Sequence, residues 1–360
     1  MKWKALGGAL GLMAVTSAHA QSSITLYGLI DDGLTFVTNQ GGQHVYRMDD
    51  SISQGDRWGF RGTEDLGGGL KAIFNLESGF DPNTGASRQG GLEFGRQAWV
   101  GLQNDRYGTV ELGRTYDQMT TTLIRYHSGF YSGIYAFDTG DHDRISGNWL
   151  NNAVTYVSPV YRGLHFAAQY SFNSLTATSN NYGSAYSLSA GYDHGPFSIA
   201  AATTNIHDYT VTPGSSFGVS EFLNTNVDFG SKAIVVARYR TAGIGSSYQF
   251  GKFGVAGLYT NSHYETGSNA QTMQSFNANL HYNLRPDIIV EGGYGFNKFA
   301  SYRWNEFNAV LDYLLSKRTD VYVTANYDKA TGGARAGLVT LPISSNDKQL
   351  ALRIGMRHKF

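Results

Sequence analysis

An all-β fold, closed into a transmembrane antiparallel up-and-down barrel of sixteen strands, is what this sequence predicts. Three observations carry the prediction: the composition, an apolar–polar alternation of period two that recurs along the chain, and a rhythm of short and long connections between the alternating segments.

The 360 residues include 45 Gly, 24 Tyr and 20 Phe but only 6 Pro, and 16% are charged. Soluble domains usually carry about 25% charged residues. Mean hydropathy is nevertheless below zero, and the chain after its first twenty residues lacks the run of about 20 apolar residues that a spanning helix needs. A closed barrel reconciles these facts, because residues facing lipid alternate with residues facing water. A large secreted β-sandwich or solenoid is the soluble alternative. Basic and acidic residues balance at 28 each, so no basic excess marks a nucleic-acid binder. With no cysteine in the chain, a disulfide framework, a Cys-ligated zinc site and a thiol nucleophile are excluded.

The chain starts Met1-Lys2-Trp3-Lys4, continues uncharged from Ala5 to Ala18, and reaches Ala18-His19-Ala20. A basic start, a short apolar middle and an A-x-A site predict a secretory signal peptide at 1–20, leaving a single barrel domain at 21–360. Without Lys2 and Lys4 the balance becomes 26 basic against 28 acidic residues.

The first alternating segment, 24–36, places Ile24, Leu26, Gly28 and Ile30 on one face and Thr25 and Tyr27 on the other. Asp32 interrupts the apolar face, which resumes at Leu34 and Phe36. Further segments follow at 45–63, 69–80, 93–103, 108–115, 151–158, 163–173, 184–194, 196–206, 233–250, 252–264, 273–284, 287–298, 303–315, 319–328 and 348–360. The last is the cleanest: Leu350, Leu352, Ile354, Met356, His358 and Phe360 share one face, and Ala351, Arg353, Gly355, Arg357 and Lys359 share the other. Short connections at 64–68, 104–107, 194–196, 251–252, 285–286 and 316–318 contrast with long ones at 81–92, 116–150, 207–230 and 329–347. Short turns at one end and long loops at the other are the layout of a bacterial outer-membrane barrel. A barrel of this size is wide enough for an aqueous channel.

The connection at 116–150 holds Tyr126, Phe130, Tyr131, Tyr135 and Phe137, then Asp138, Asp141, Asp143 and Arg144. Its aromatics predict packing rather than disorder; a packed loop in a wide barrel can fold inward and narrow the lumen, the alternative being an external loop lying over the mouth. Arg57 and Arg61 share a parity opposed to Trp58 and Phe60, which aims both arginines at the lumen; Arg96 shares parity with Ala98 and opposes Trp99. Arginines facing the loop acids across a constriction would form a charge filter. Arg114 shares parity with Val110 and Leu112 and so points outward. An outward arginine at membrane depth costs about 2–4 kcal/mol; with Asp32 it is read as a subunit contact, the alternatives being a rim position or a bulge.

Catalytic signatures are missing: no H-E-x-x-H, no G-x-S-x-G, no paired-histidine zinc spacing. Asp141-His142-Asp143 reads as a solvated acidic stretch, and Gly67-Gly68-Gly69 as a turn, since no Gly-Lys-Ser/Thr follows it. The expected protein is therefore not an enzyme and needs no metal or cofactor.

Ser22-Ser23-Ile24-Thr25-Leu26-Tyr27-Gly28, Arg57-Trp58-Gly59-Phe60-Arg61-Gly62, Phe94-Gly95-Arg96-Gln97-Ala98-Trp99-Val100-Gly101-Leu102, Gly108-Thr109-Val110-Glu111-Leu112-Gly113-Arg114, Tyr313-Leu314-Leu315-Ser316-Lys317-Arg318-Thr319 and Gly355-Met356-Arg357-His358-Lys359-Phe360 together resemble the trimeric general porins of β-proteobacteria, of the Burkholderia, Neisseria and Comamonas type. From about Phe172 to Gln271 the likeness is in character only. The resemblance implies a sixteen-stranded homotrimer in the outer membrane, touching lipid and lipopolysaccharide, with an inward third loop. It implies that Arg57 and Arg96 form the basic side of the constriction, and that Phe360 is the aromatic ending read by the outer-membrane assembly machinery. Family members often carry an arginine seven residues before the Tyr of an Asn-x-x-x-Tyr run; here Trp149 stands there. That removes a charge from the expected basic cluster unless Arg144 supplies it, and leaves ion preference open. The function expected is passive diffusion of ions and small hydrophilic solutes. The rival readings are a substrate-specific channel, a barrel enzyme with a nucleophile–base pair at its rim, and an adhesin role, which could coexist with a pore.

Overall fold

The computed structural model describes residues 22–172 and 183–360. The expected leader at 1–20 lies outside the described residues. In chain order the wall strands are β1 (Ser23–Gln40), β2 (Gln43–Asp50 and Arg57–Gly67), β3 (Leu70–Gly79), β4 (Gln97–Asn104), β5 (Gly108–Tyr116), β6 (Trp149–Val157), β7 (Leu164–Ser171), β8 (Ala185–His194), β9 (Phe197–Val211), β10 (Ile234–Phe250), β11 (Phe253–Thr266), β12 (Asn269–Arg285), β13 (Ile288–Phe299), β14 (Tyr302–Leu314), β15 (Thr319–Thr331) and β16 (Lys348–Lys359). Each pairs antiparallel with its sequence neighbours, and β1 also pairs with β16 from Leu29↔Lys359 to Val37↔Ala351, which closes the sheet.

The expected strand at 45–63 is split. Both halves of β2 pair with β1, but residues 51–56 leave the ladder. Asp31 explains the break: its carboxylate accepts from Gln54 N at 2.9 Å, and its own N–H donates to Asp56. Those local bonds satisfy the backbone without the neighbouring strand. The break also lets Ile52 O accept from Ile134 N at 2.7 Å. Gly133 makes that approach possible, since it has φ +85° and a Cβ there would lie 2.2 Å from Ile52 O.

Alternation assigns the two faces. Ile354 is 59% exposed and its neighbour Arg353 only 2%. Leu34 and Val323, directly opposite Ile354, are exposed with it, while Thr35 and Thr324, opposite Arg353, are buried. One face of the closed wall is thus a continuous apolar surface and the other polar, which is the pattern of a wall between lipid and water. Exposed Tyr107, Tyr161, Phe250, Phe253 and Tyr313 flank the short turns, where a membrane interface places aromatic rings. The ends meet at that rim. Gly28 and Phe360 exchange backbone hydrogen bonds of 3.1 and 3.0 Å. Position 28 favours glycine, because a Cβ there would lie 2.8 Å from the Arg57 carbonyl oxygen and against the Phe360 ring.

The opposite rim is not uniformly long-looped. Beside the long connections, tight turns join β1 to β2, β11 to β12 and β13 to β14, because strands as long as the 17 residues of β12 carry the ladder past the 9–11 residues that span a bilayer. The connection at 212–233 contains a short helix (Pro213–Phe217) and a two-residue hairpin (Glu221–Phe222 with Thr225–Asn226).

Replacing Ile354 by Arg is expected to destabilise the barrel by about 2–4 kcal/mol, measured by guanidinium unfolding from lipid vesicles. A cost below about 0.5 kcal/mol, the usual limit for an ordinary surface change, would mean that this face does not meet lipid.

Candidate functional site

The segment between β5 and β6 is ordered by its own polar groups. It opens with helix α1 (Gln118–Leu123), capped by Asp117, whose carboxylate accepts from Thr120 N at 3.0 Å. The same carboxylate takes the Arg144 Nε–H, and both residues are buried. Arg144 therefore pins the end of the segment to its beginning. A second short helix, α2 (Gly129–Ser132), and single 3₁₀ turns complete it.

Every wall contact of this segment is made on the polar face. Gln118 N donates to Ser187 Oγ on β8 at 2.9 Å, and the Tyr126 hydroxyl meets Ser198 Oγ on β9 at 2.6 Å. Asn279 on β12 donates to Tyr126 O at 2.9 Å. Ser132 bonds to Glu291 on β13, and Tyr135 to Asp49 on β2. Thr139 N donates to Glu306 Oε1 on β14 at 3.0 Å, and Ser262 Oγ on β11 to His142 O at 2.8 Å. Apolar contacts fill the spaces between: Met119, Leu123, Tyr126, Phe137 and Ile145 pack with Ala200, Ala202 and Leu258 of the wall, and Tyr135 with Val37, Ile52 and Ala351.

Arg57 and Arg96 come together with partners that alternation alone did not name. Arg96 Nε donates to Glu77 Oε1 at 2.8 Å and its Nη2 to the Tyr116 hydroxyl at 2.6 Å. Glu77 also accepts from the Tyr27 hydroxyl at 2.9 Å, and Arg61 lies over the Tyr27 ring at 5.2 Å. Arg57 Nε donates to Gly55 O at 2.8 Å. Leu29 pairs with both Arg57 and Lys359, so these two bases stand at one height of the wall. Beside them Arg357 pairs with Asp320 (3.1 Å) and Asp312 (3.5 Å), and Arg353 donates to the Tyr322 hydroxyl (2.8 Å) beside Asp31 (3.6 Å). The polar parity of β16 contained the signal for Arg353 and Arg357, but their acidic neighbours come from β1, β14 and β15.

Several expectations need correction. The parity argument for Arg96 fails because Arg96 precedes β4, and Trp99 shares the polar face with Gln97 and Asn75. Arg96 reaches Glu77 and Tyr116 from outside the strand. Asp138, Asp143 and Arg144 do not face open water: they are 0%, 0% and 3% exposed. Asp138 accepts from Asn277 Nδ2 at 3.0 Å and lies 3.6 Å from His127 Nε2, and Asp143 accepts from Thr260 Oγ1 at 3.1 Å. The remaining acid, Asp141, accepts from Ser146 N at 2.9 Å and from Asn148. The Asp141-His142-Asp143 stretch, read as solvated, is thus bonded to the wall and to its own segment. Trp149 does not leave an empty place, for the Arg114 guanidinium lies over its ring at 5.1 Å. Arg114 has the outward parity of its partner Ala98, yet it bonds to Gly95 O (2.7 Å) and Asn151 within the chain. Asp32 likewise accepts from Asn83 at 3.3 Å.

Burial sets the protonation of the loop acids. It pushes Asp143 well up, reinforced by the charges of Asp138 and Asp141. Burial also acts upward on Asp138, but hydrogen bonding and charge from His127, with His142, overcome it and hold Asp138 below the carboxylate range.

A closed wall, apolar on one face and polar on the other, defines an outer-membrane β-barrel, and a long segment bonded across the polar face is the form that channel-forming barrels of this size take. The Gram-negative porin family matches residues 8–333, and the chain belongs to that family. An outer membrane porin of Bordetella pertussis is 29% identical over the full length of both chains, and outer membrane porin protein 32 of Delftia acidovorans is 28% identical over 98% of each. Among solved structures, an anion-selective porin from Comamonas acidovorans superposes with a TM-score of 0.78 over 94% of this chain and all of that one, at 24% identity. A trimer form of OmpT from Vibrio cholerae superposes with a TM-score of 0.69 over 94% and 99%, at 14% identity. The protein is an outer-membrane porin.

Asp143→Asn is expected to preserve or raise thermal stability, and Asp138→Asn to lower it. Burial and the charges of Asp138 and Asp141 hold Asp143 above its unfolded pKa, so it costs stability as pH rises above the ordinary carboxylate range, and the benefit of Asp143→Asn grows with pH there. Equal, pH-independent losses for both variants would overturn the opposite shifts of the two acids.

Proposed function

We propose that the barrel is a passive, water-filled diffusion channel, with the polar face as its lumen and the 117–148 segment as its constriction. The observation that carries this reading is the set of bonds fastening that segment to the polar face from β2 and from β8 through β14. A loop held at so many points narrows a wide barrel without closing it by chance motion. Ions and small hydrophilic solutes cross down their gradients, and the protein contributes walls and charge but no chemical step.

The basic side of the constriction is Arg57, Arg61 and Arg96. One carboxylate, Glu77, compensates them, and with Asp138 and Asp143 buried in the loop anchor the acids do not offset the rest. This supports a preference for anions, which the Comamonas structure is also named for. The assembly is a homotrimer, a reading supported by the trimer form of the Vibrio relative. Residues 1–20 are a leader removed during export, and Phe360, exposed at the rim beside Gly28, is the ending presented to the assembly machinery.

Single-channel recording in a planar bilayer under a salt gradient tests the reading. Conductance in steps of three, with a reversal potential favouring anions, is expected. Arg57→Ala should move that potential toward cations with a modest change in conductance, and an unchanged potential would remove Arg57 from the filter. Mass spectrometry of protein extracted from outer membranes should find Gln21 at the N-terminus.

A further inference from the structure

A cavity of about 480 Å³ lies between helix α1 and the polar face of β4 through β8. Its size falls within the roughly 300–1,000 Å³ of small-molecule sites. Its lining carries one acid, Glu111, and two bases, Arg125 and His165. Glu111 of β5 enters it from the wall half-buried, and no basic side chain or hydrogen-bond donor pairs with its carboxylate among the described residues. Both bases face Asp193 rather than Glu111, Arg125 at 3.0 Å and His165 Nδ1 at 3.8 Å. Thr155, directly opposite Glu111 in the ladder, is 2% exposed, and its buried hydroxyl also has no hydrogen-bond partner. Thr115, Thr122 and Ser189 add further hydroxyls to the lining.

A half-buried carboxylate without a counter-ion, beside a buried hydroxyl without a partner, leaves two groups whose desolvation nothing in the chain offsets. A structural role would give Glu111 a base and Thr155 an acceptor, as Glu77 has Arg96 and Ser187 has Thr204. We propose that this cavity is a solute subsite on the channel wall for small hydroxylated ammonium compounds, of the amino-sugar or amino-alcohol class. The ammonium group would sit on Glu111 and the hydroxyls on Thr122, Thr115 and Ser189 of the lining. The proposal rests on the channel reading, and it gives an otherwise anion-favouring pore a place where organic cations dwell.

Glucosammonium and glucose are the probes, because they share a hydroxylated ring and differ in charge. Current fluctuations of the native trimer in KCl should show glucosammonium interrupting conductance at least tenfold below the glucose concentration needed, a difference of about 1.4 kcal/mol. Glu111→Gln should abolish that difference while leaving KCl conductance intact, and Thr122→Val should weaken block by both sugars. Titration calorimetry on the detergent-solubilised trimer should give the same ranking without requiring current. Equal affinity for the two sugars in the native protein, or undiminished glucosammonium binding by Glu111→Gln, overturns the subsite. Absence of KCl conductance together with calorimetric binding that Glu111→Gln removes would overturn the channel reading and leave the subsite standing.

Discussion

In hydrocarbon an unpaired backbone N–H or C=O finds no water, and each such group costs several kcal/mol. A sheet crossing a bilayer therefore cannot have an edge. The β1–β16 ladder, sealed by the mutual Gly28–Phe360 bonds, removes the edge, and other features of this protein depend on it. Closure forces the two faces of each strand into separate solvents, so alternation along the chain becomes a partition between lipid and water. It also places the two ends of the wall side by side, with Gly28 against the last side chain.

Closure alone would leave a wide tube. The segment bonded across the polar face carries its own backbone groups with it, and those groups need partners. Asp117 shows the economy of the arrangement: one carboxylate caps α1 and neutralises Arg144. The wall answers with short polar side chains, Ser187, Ser198, Ser262 and Asn279, which reach backbone and hydroxyl groups of the segment without occupying much space. Buried charge in such a seam is tolerated when it is shared or paired. Asp138 meets that condition with Asn277 and His127 alongside.

The arginine cluster follows a different rule. Glu77 touches Arg96 and Tyr27 at once, so it orients the cluster while leaving positive charge in excess. The roles separate: acids of the loop bond loop to wall, and in the proposed channel bases of the wall would set the field seen by a passing ion. A charged group that faces water acts on solutes, and one that is buried acts on the fold.

Much of the barrel was legible in the residues. Leu352, Ile354 and Met356 against Arg353 and Arg357 declare the faces of β16, and Arg57 and Arg61 against Trp58 and Phe60 declare those of β2, because a strand has a side-chain period of two whatever surrounds it. Where that period is broken, the reading failed for a reason: Arg96 lies before its strand, and residues 51–56 leave the ladder because Asp31 offers a local alternative. The loop was legible as packed from its aromatics, yet not the burial of Asp138, Asp143 and Arg144, since an acid in a loop looks the same whether water or Asn277 will meet it. The sequence by itself determined the strands, their faces and the closed topology, all consequences of local periodicity and of lipid as solvent. Only the tertiary structure decided which charges stay in water, because Glu77 meets Arg96, and Asp138 meets Asn277, through contacts between strands and loops that no local pattern encodes.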